Sequence, residues 1–434
     1  MARAVEGNVM RGRSDARCLK GSGRASGASP AVGFFRRRRA RRPSVEMRAT
    51  ARNVIVANGE SLMSRVSDYR VTVSTPSTID ADLLREIDAL AADALDPNIF
   101  YEAWMLNAAL AHIEVPTLTL VTVRDGSGAL TGVFPFELAR FRNLPLKSLK
   151  SWRHDYTFLA TPLVARDRAD ATLDALLDWS ASRRAPASIL EFDGVREDGP
   201  FGVALASALA RRPAFARHET TSERALLDLR GDTESGASHK HMKELRRQER
   251  RLADAGPLDY RAMSRDESAE PWIERFMVIE SAGWKGRSGT ALGAEAKSSA
   301  FFREIALEAH RRGALQMLEL TLAGKPVAVK CNFLGGEGAY AFKIGHDETY
   351  AKFSPGVLLE LFNMRYLPEA APGAAWMDSC AKAQHFMINR LWTGRRAIAN
   401  HSIAGRGLLA RLLIRHGPRL AKWRSSVKAE RENT

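Results

Sequence analysis

Residues 315–366 read LQMLELTLAGKPVAVKCNFLGGEGAYAFKIGHDETYAKFSPGVLLELFNMRY, and this stretch decides the fold. Three apolar, strand-like runs come first, at 315–322, 326–334 and 339–344. Ala-Gly-Lys links the first pair and Gly-Gly-Glu-Gly the second. Both links are short, and the second holds the glycines a hairpin turn needs for positive φ, so an antiparallel three-stranded meander is expected. A loop over 345–353 then leads into Ser354, Pro355 and Gly356. Serine suits an N-cap because its oxygen satisfies an early N–H, and proline at the first helical position has its φ already set. The helix that follows carries Val357, Leu358, Leu359, Leu361 and Phe362, so it is expected to be buried, with Pro368 stopping it. A buried helix entered straight from a sheet edge aims several N–H groups at one point, which makes an anion site by geometry. Lys343, His346, Asp347, Tyr350 and Lys352 crowd the same entrance.

Upstream, the chain carries comparable elements. Residues 69–74 alternate like a strand, and 80–95 form an amphipathic helix with Leu83, Leu84, Ile87 and Leu90 on one face. A second helix is expected over 100–113. Runs 117–124 and 130–138, separated by Asp-Gly-Ser-Gly, form a hairpin. A strand at 159–164, a helix at 169–184, a strand at 188–192, a helix at 202–212 and a closing strand at 224–229 complete a domain over 68–231. A second domain over 238–403 starts with the basic helix 239–255, then a strand at 258–263 and helices at 266–281 and 297–312. After the meander and buried helix come short strands at 375–379 and 397–402. Helix–helix–hairpin–strand–helix–strand thus occurs twice, an architectural repeat without visible sequence likeness.

The chain of 434 residues has a net charge of +15. Such a charge usually points to a polyanion partner, but residues 1–52 hold 14 Lys/Arg against 3 Asp/Glu, leaving only +4 for the rest. A nucleic-acid groove is therefore not expected. Segment 1–60 is rich in Gly, Ser, Ala and Arg without periodicity, so it is expected to be disordered. It is Arg-rich and acid-poor like a transit peptide; translation starting at Met47 or Met63 is the plainer alternative. The three cysteines, Cys18, Cys331 and Cys380, form no C-x-x-C pair. No zinc site or disulfide framework is expected, in keeping with a reducing cytoplasm. No apolar run is long enough to span a bilayer.

The segment KIGHDETYAKFSPGVLLELF resembles the β–loop–α segment of the CelD-type (cellulose and exopolysaccharide biosynthesis) acetyltransferases, a branch of the GNAT superfamily related to the Fem-type peptidyltransferases. The likeness rests on a hydrophobic strand, Gly, Asp, two residues, Tyr, and then Ser-Pro-Gly before a Leu-rich helix. Of the usual GNAT Arg/Gln-x-x-Gly-x-Gly/Ala loop, only Ser354-Pro355-Gly356 remains. The resemblance implies an α/β (α+β) fold of tandem GNAT-like domains, each a mixed, mainly antiparallel sheet flanked by helices. It also implies acetyl-CoA or another acyl-CoA as donor, and no metal.

On this reading Lys343, Ser354, Pro355, Gly356 and Val357 hold the donor. Asp347 and Asp378 are candidate bases, and Tyr350 could donate a proton to the leaving thiolate. The stretch IESAGWKGRSG at 279–289 is similar to a Ser-x-Gly-Trp-Lys stretch of the relatives, with Trp284 a flat wall and Lys285 a charge for an acceptor. In MDSCAKAQHFMINRLW at 377–392, Asp378, Lys382 and Trp392 match places where the relatives carry Asp, Lys and an aromatic. Cys380 lacks a His with an orienting carboxylate, so an inert thiol is the expectation. Trp152, Arg153, His154, Asp155 and Tyr156 could line a cleft between the domains. Helix 239–255 presents Lys240, Lys243, Arg246, Arg247, Arg250 and Arg251, read mainly as a solvated face. The tail 405–434 reads as a basic amphipathic segment that could lie on an acidic membrane surface.

The expected function is acyl transfer from acyl-CoA to an amine or hydroxyl of a small molecule, a cell-envelope precursor or a polysaccharide precursor. The expected location is the cytoplasm, with contact to the inner membrane through the tail. Two alternatives stay open: a non-catalytic accessory protein of polysaccharide synthesis, and a peptidyltransferase using aminoacyl-tRNA.

Overall fold

The computed structural model describes residues 68–113, 117–212, 216–231, 235–283 and 291–416. Segment 1–60, Trp284, Lys285 and the tail beyond 416 lie outside the described residues. The first repeat runs β1 (Arg70–Ser74), α1 (Ala81–Ala92), α2 (Ala103–His112), β2 (Leu118–Arg124), β3 (Leu130–Arg140), β4 (Lys147–Ser151), β5 (Leu163–Val164), α3 (Ala169–Ala181), β6 (Ile189–Arg196), α4 (Pro200–Ala210) and β7 (Ala216–Asp228). After the linking helix α5 (His239–Ala253), the second runs β8 (Leu258–Ala262), α6 (Glu270–Ala282), α7 (Ala296–Arg311), β9 (Leu315–Leu322), β10 (Lys325–Gly335), β11 (Gly338–His346), α8 (Pro355–Ala370), β12 (Trp376–Asp378), α9 (Phe386–Leu391) and β13 (Gly394–Ala404). A final helix covers 408–416. With β5 set aside, the two repeats match element for element.

All the strands join one sheet in the order β1-β2-β3-β4-β6-β13-β7-β12-β11-β10-β9-β8, with β5 attached to β3. The order is palindromic. Each repeat supplies four antiparallel strands and then one parallel strand, β6 beside β4 and β12 beside β11. Each repeat's last strand crosses over: β13 lies against β6 of the first repeat, and β7 lies against β12 of the second. The two exchanged strands pair antiparallel along ten residue pairs, from Gly394↔Leu226 to Ile403↔Ala216.

Local chemistry sets the ends of these elements. Asp80 caps α1 by accepting from the Leu83 N–H at 2.8 Å. The β9–β10 link turns through Ala323 (φ 48°) and Gly324 (φ 77°), the handedness that matches strand twist. Side chains of α1, α2, α6 and α7 merge into a single apolar cluster over one face of both halves, with Trp104, Phe276, Phe301, Phe302 and Phe342 at its centre. Helices α3 and α4 cover the opposite face of the first half, and α8 covers that of the second. Each fully buried Phe or Leu here contributes about 1.5–3 kcal/mol.

Two expectations at the key helix need correction. Pro368 does not stop α8 but lies inside its last turn. Ser354 stands at the N-cap, yet its side chain makes no cap hydrogen bond and its backbone is left-handed (φ 53°, ψ 47°). Its carbonyl instead accepts from the N–H groups of Val357 (2.9 Å) and Leu358 (3.1 Å).

Candidate functional site

The site grows out of the divergence of β11 from β12. Their parallel pairing lasts three residues, Gly338↔Trp376, Ala339↔Met377 and Tyr340↔Asp378. β12 ends there, while β11 continues to His346. A cavity of about 180 Å³ occupies the wedge, lined by Ala341–Ile344 of β11, Lys330 of β10, Glu360 of α8, residues 379–381, and His385, Met387 and Ile388 around the start of α9. Lys330 and Glu360, both almost fully buried, pair at 2.8 Å on its wall. Asn363 donates to Glu360 at 3.0 Å and accepts from Asn332 at 2.8 Å, so this buried pair is held by a hydrogen-bonded set.

Cys380 and Ala381 also line a second cavity, of about 620 Å³, on the first repeat's side. Its other walls are Lys150 of β4, Arg153, His154 and Asp155 after β4, Asp193 and Gly194 of β6, Arg224 of β7, Asn400 of β13, and Lys382. Gly194 is required where it stands: its φ is +82°, and a Cβ would lie 2.8 Å from Arg153 Nη1. Burial pushes the His154 imidazole down to about 4, so it is neutral at physiological pH. Its Nδ1 accepts from the Tyr156 N–H at 3.3 Å, which places the ring proton on Nε2.

Next to Cys380 and Ala381, which line both cavities, Asp378 is fully enclosed. Its Oδ2 accepts from Arg224 and from Arg396, each at 2.7 Å, and its Oδ1 accepts from the Cys380 N–H at 2.8 Å. Arg224 and Arg396 are cross-strand partners on the exchanged pair, so the carboxylate neutralises two guanidiniums set opposite each other. Burial pushes the Asp378 carboxyl up, but the two guanidiniums outweigh it and hold the group below the usual range. Arg224 also donates to the Phe158 carbonyl at 2.6 Å, and the Arg396 guanidinium lies 3.9 Å from the Trp376 ring centre. Cys380 takes a left-handed conformation (φ 52°), and burial pushes its thiol well above the ordinary range. Such a thiol is a poor nucleophile.

The residues singled out from the sequence fall into three groups. Lys343 lines the smaller cavity, 3.4 Å from buried Glu280 and 5.2 Å from the Tyr156 ring centre. Lys382 is exposed on the larger cavity. Pro355 and Gly356 are buried where α8 meets the end of β11, and a Cβ on Gly356 would lie 3.7 Å from His346 Nδ1. Asp347, in contrast, caps its own turn by accepting from the Thr349 N–H at 2.9 Å. Tyr350 packs beside Phe353 and Leu358, and neither residue lines the two cavities. Trp392 is 1% exposed and packed among Ala225, Leu227 and Leu391, within the core rather than on a cavity wall. Sequence reasoning missed Lys330 and Glu360. The available signal was a lone charge inside each of the apolar runs PVAVKCNFL and VLLELF.

Residues 239–386 match a family model described as an acetyltransferase (GNAT) domain. No curated protein matches the chain. Among solved structures, the crystal structure of FemX is 12% identical, with 76% of this chain and 98% of that chain covered and a TM-score of 0.50. The C-terminal domain of a putative lysylphosphatidylglycerol synthetase from Agrobacterium fabrum is 15% identical, with 78% and 96% covered and a TM-score of 0.48. A tandem GNAT protein from the clavulanic acid biosynthesis pathway is 16% identical, with 78% and 100% covered and a TM-score of 0.38. At 12% identity the likeness to FemX is one of fold alone. The chain has a mixed α/β, GNAT-like fold and carries a GNAT-type acetyltransferase domain in its second repeat.

Proposed function

We propose that the protein is an acyltransferase that moves an acyl group from acyl-CoA, bound in the β11/β12 wedge, to an amine or hydroxyl of an acceptor in the larger cavity. The observation that carries this reading is the shared wall. Cys380 and Ala381 border both cavities, so a thioester in one and a nucleophile in the other could meet there. Proximity of that kind is the main requirement of direct transfer.

In this scheme the start of α8 at Pro355 and Gly356 takes the donor's phosphates, and the Lys343 side chain faces the charge that develops on the thioester oxygen. Asp378 keeps its proton off and its two arginines fixed, so its role is to position residues 379–381 rather than to act as base. Proton removal from the acceptor falls to Asp155, on the wall of the larger cavity, next in the chain to the Tyr156 ring that meets Lys343. The attacking amine or hydroxyl bonds to the acyl carbon, the C–S bond breaks, and the thiolate leaves with the carrier. The acceptor is a cell-envelope or polysaccharide precursor, in keeping with the sequence's likeness to the CelD-type enzymes.

One observation favours a second donor. Helix α5 exposes Lys240, Lys243, Arg246, Arg247, Arg250 and Arg251, and Arg251 lies 5.9 Å from the ring centre of Phe353, directly before α8. A polyanionic donor such as aminoacyl-tRNA would meet that face. Calorimetry separates the readings. Saturable acetyl-CoA binding that is lost in Gly356→Trp and kept in Asp155→Asn, with thiol release dependent on acceptor, supports the first. No acetyl-CoA binding, with a transfer-RNA affinity that falls steeply with salt, replaces it by the second.

A further inference from the structure

The final helix over 408–416 is seated by one face only. Ala410 and Ile414 are buried against Phe141, Ile189 and Ala404, with Leu413 packed beside them. The opposite face exposes Leu408, Leu409 and Leu412 at 77%, 56% and 55%. Arg411 and Arg415 are exposed alongside. The loop beneath, 140–147, adds exposed Arg140, Arg142 and Lys147. Glu219 pairs with Arg142 at 3.8 Å and also with Arg217. The sequence reinforces the pattern: residues 379–429 contain eleven Lys/Arg and no Asp or Glu.

We propose that this face docks on the surface of an anionic lipid bilayer, with the three leucines entering the headgroup–acyl boundary and the arginines meeting lipid phosphates. An amphipathic helix binds in the interface plane through both its apolar area and its attraction to anionic lipid. Both are present here on one side of one helix. The other occupants fit less well. A second copy would bring the same positive charge against itself. The chain's own continuation carries Arg419, Lys422, Arg424 and Lys428 and is equally repelled. A nucleic acid would satisfy the arginines and leave the leucines in water. No helix among the described residues is long and apolar enough to cross a membrane, so the contact is peripheral.

The test is sedimentation of the full chain with vesicles of phosphatidylcholine alone or mixed with phosphatidylglycerol. Binding is expected only to the mixed vesicles, and it should weaken with salt. The triple change Leu408→Ser, Leu409→Ser, Leu412→Ser should lower partitioning roughly tenfold or more. The pair Arg411→Gln, Arg415→Gln should lower it roughly five- to tenfold. Unfolding midpoints should stay unchanged in both, since the substituted side chains lie at the surface. Undiminished vesicle binding by the serine variant overturns the proposal. So does a dimer, seen by light scattering, that the serine changes dissolve while vesicles bind neither form. RNA binding lost in the glutamine variant but kept in the serine variant, with no vesicle binding, assigns the face to nucleic acid instead.

Discussion

The two repeats share one strand order but end their parallel pairs differently. In the second, 347–354 lead from β11 into α8, and the helix starts beside Ile344 and His346. In the first, the longer segment 152–168 intervenes after β4, and it sends Trp152, Tyr156 and Leu159 into the core. Helix α3 therefore starts elsewhere, with Arg168 at its N-cap paired to Asp125 at 3.1 Å. Its first turn contains Asp170, whereas the first turn of α8 contains no acid. A carboxylate at a helix start occupies the place an anion would take. The local chain thus leaves the start of α8 without an acid, while the segment after β4 forms a wall of the larger cavity.

The largest effect should come from the anchor between them. Asp378→Ala leaves two buried guanidiniums facing each other, and urea unfolding should show a loss of about 3–5 kcal/mol. A loss below about 1 kcal/mol would mean the arginines find other partners. Next, Gly356→Asp gives α8 the acidic first turn that α3 already has. Acetyl-CoA affinity should fall roughly tenfold or more, with some loss of stability because Gly356 is buried. The reciprocal Asp170→Gly should leave acetyl-CoA binding as it was, and a gain there would break the comparison. Lys382→Ala, on an exposed side chain, should raise the KM for acceptor roughly two- to fivefold without changing acetyl-CoA affinity.

The smallest effect concerns pH. Burial, with a lesser push from His218, whose ring centre lies 4.8 Å away, lowers the His401 imidazole to about 4, and burial does the same for His154. The unfolded chain therefore takes up these protons first. Stability should be full above about pH 6.5 and decline as pH falls toward 4. His401→Gln should flatten part of that slope in urea midpoints measured across the range. An unchanged slope would show that His401 takes up its proton alike in the folded and unfolded states.

Much of this was readable from residue order. The meander, the buried helix and the hairpin at β2–β3 have clear periodicity and turn glycines, and the structure has them within a residue or two. Strand β4 was not readable, because KSLKS alternates charge with little apolar weight. The first part of β7 hid for the same reason, since it consists of polar residues with no apolar alternation. The exchange of β7 and β13 had no local signal at all. Pairing Arg224 with Arg396 looks unfavourable until Asp378, from a third strand, is placed between them. The site shows the same limit. A charged residue on a loop after a strand, such as Asp347, draws attention, yet it satisfies its own turn. The wedge is instead walled by Lys330 and Glu360, which only tertiary packing brings together.

The crossing-over of β7 and β13 sets a rule for how the chain can come off the ribosome. The first repeat lacks the neighbour of β6 until Gly394–Ala404 has been synthesised, so its sheet stays open at that edge while the second repeat is made. Folding of the early half must wait for the final strand of the second repeat, and a gene cut between the repeats would yield two fragments that can complete themselves only by finding each other.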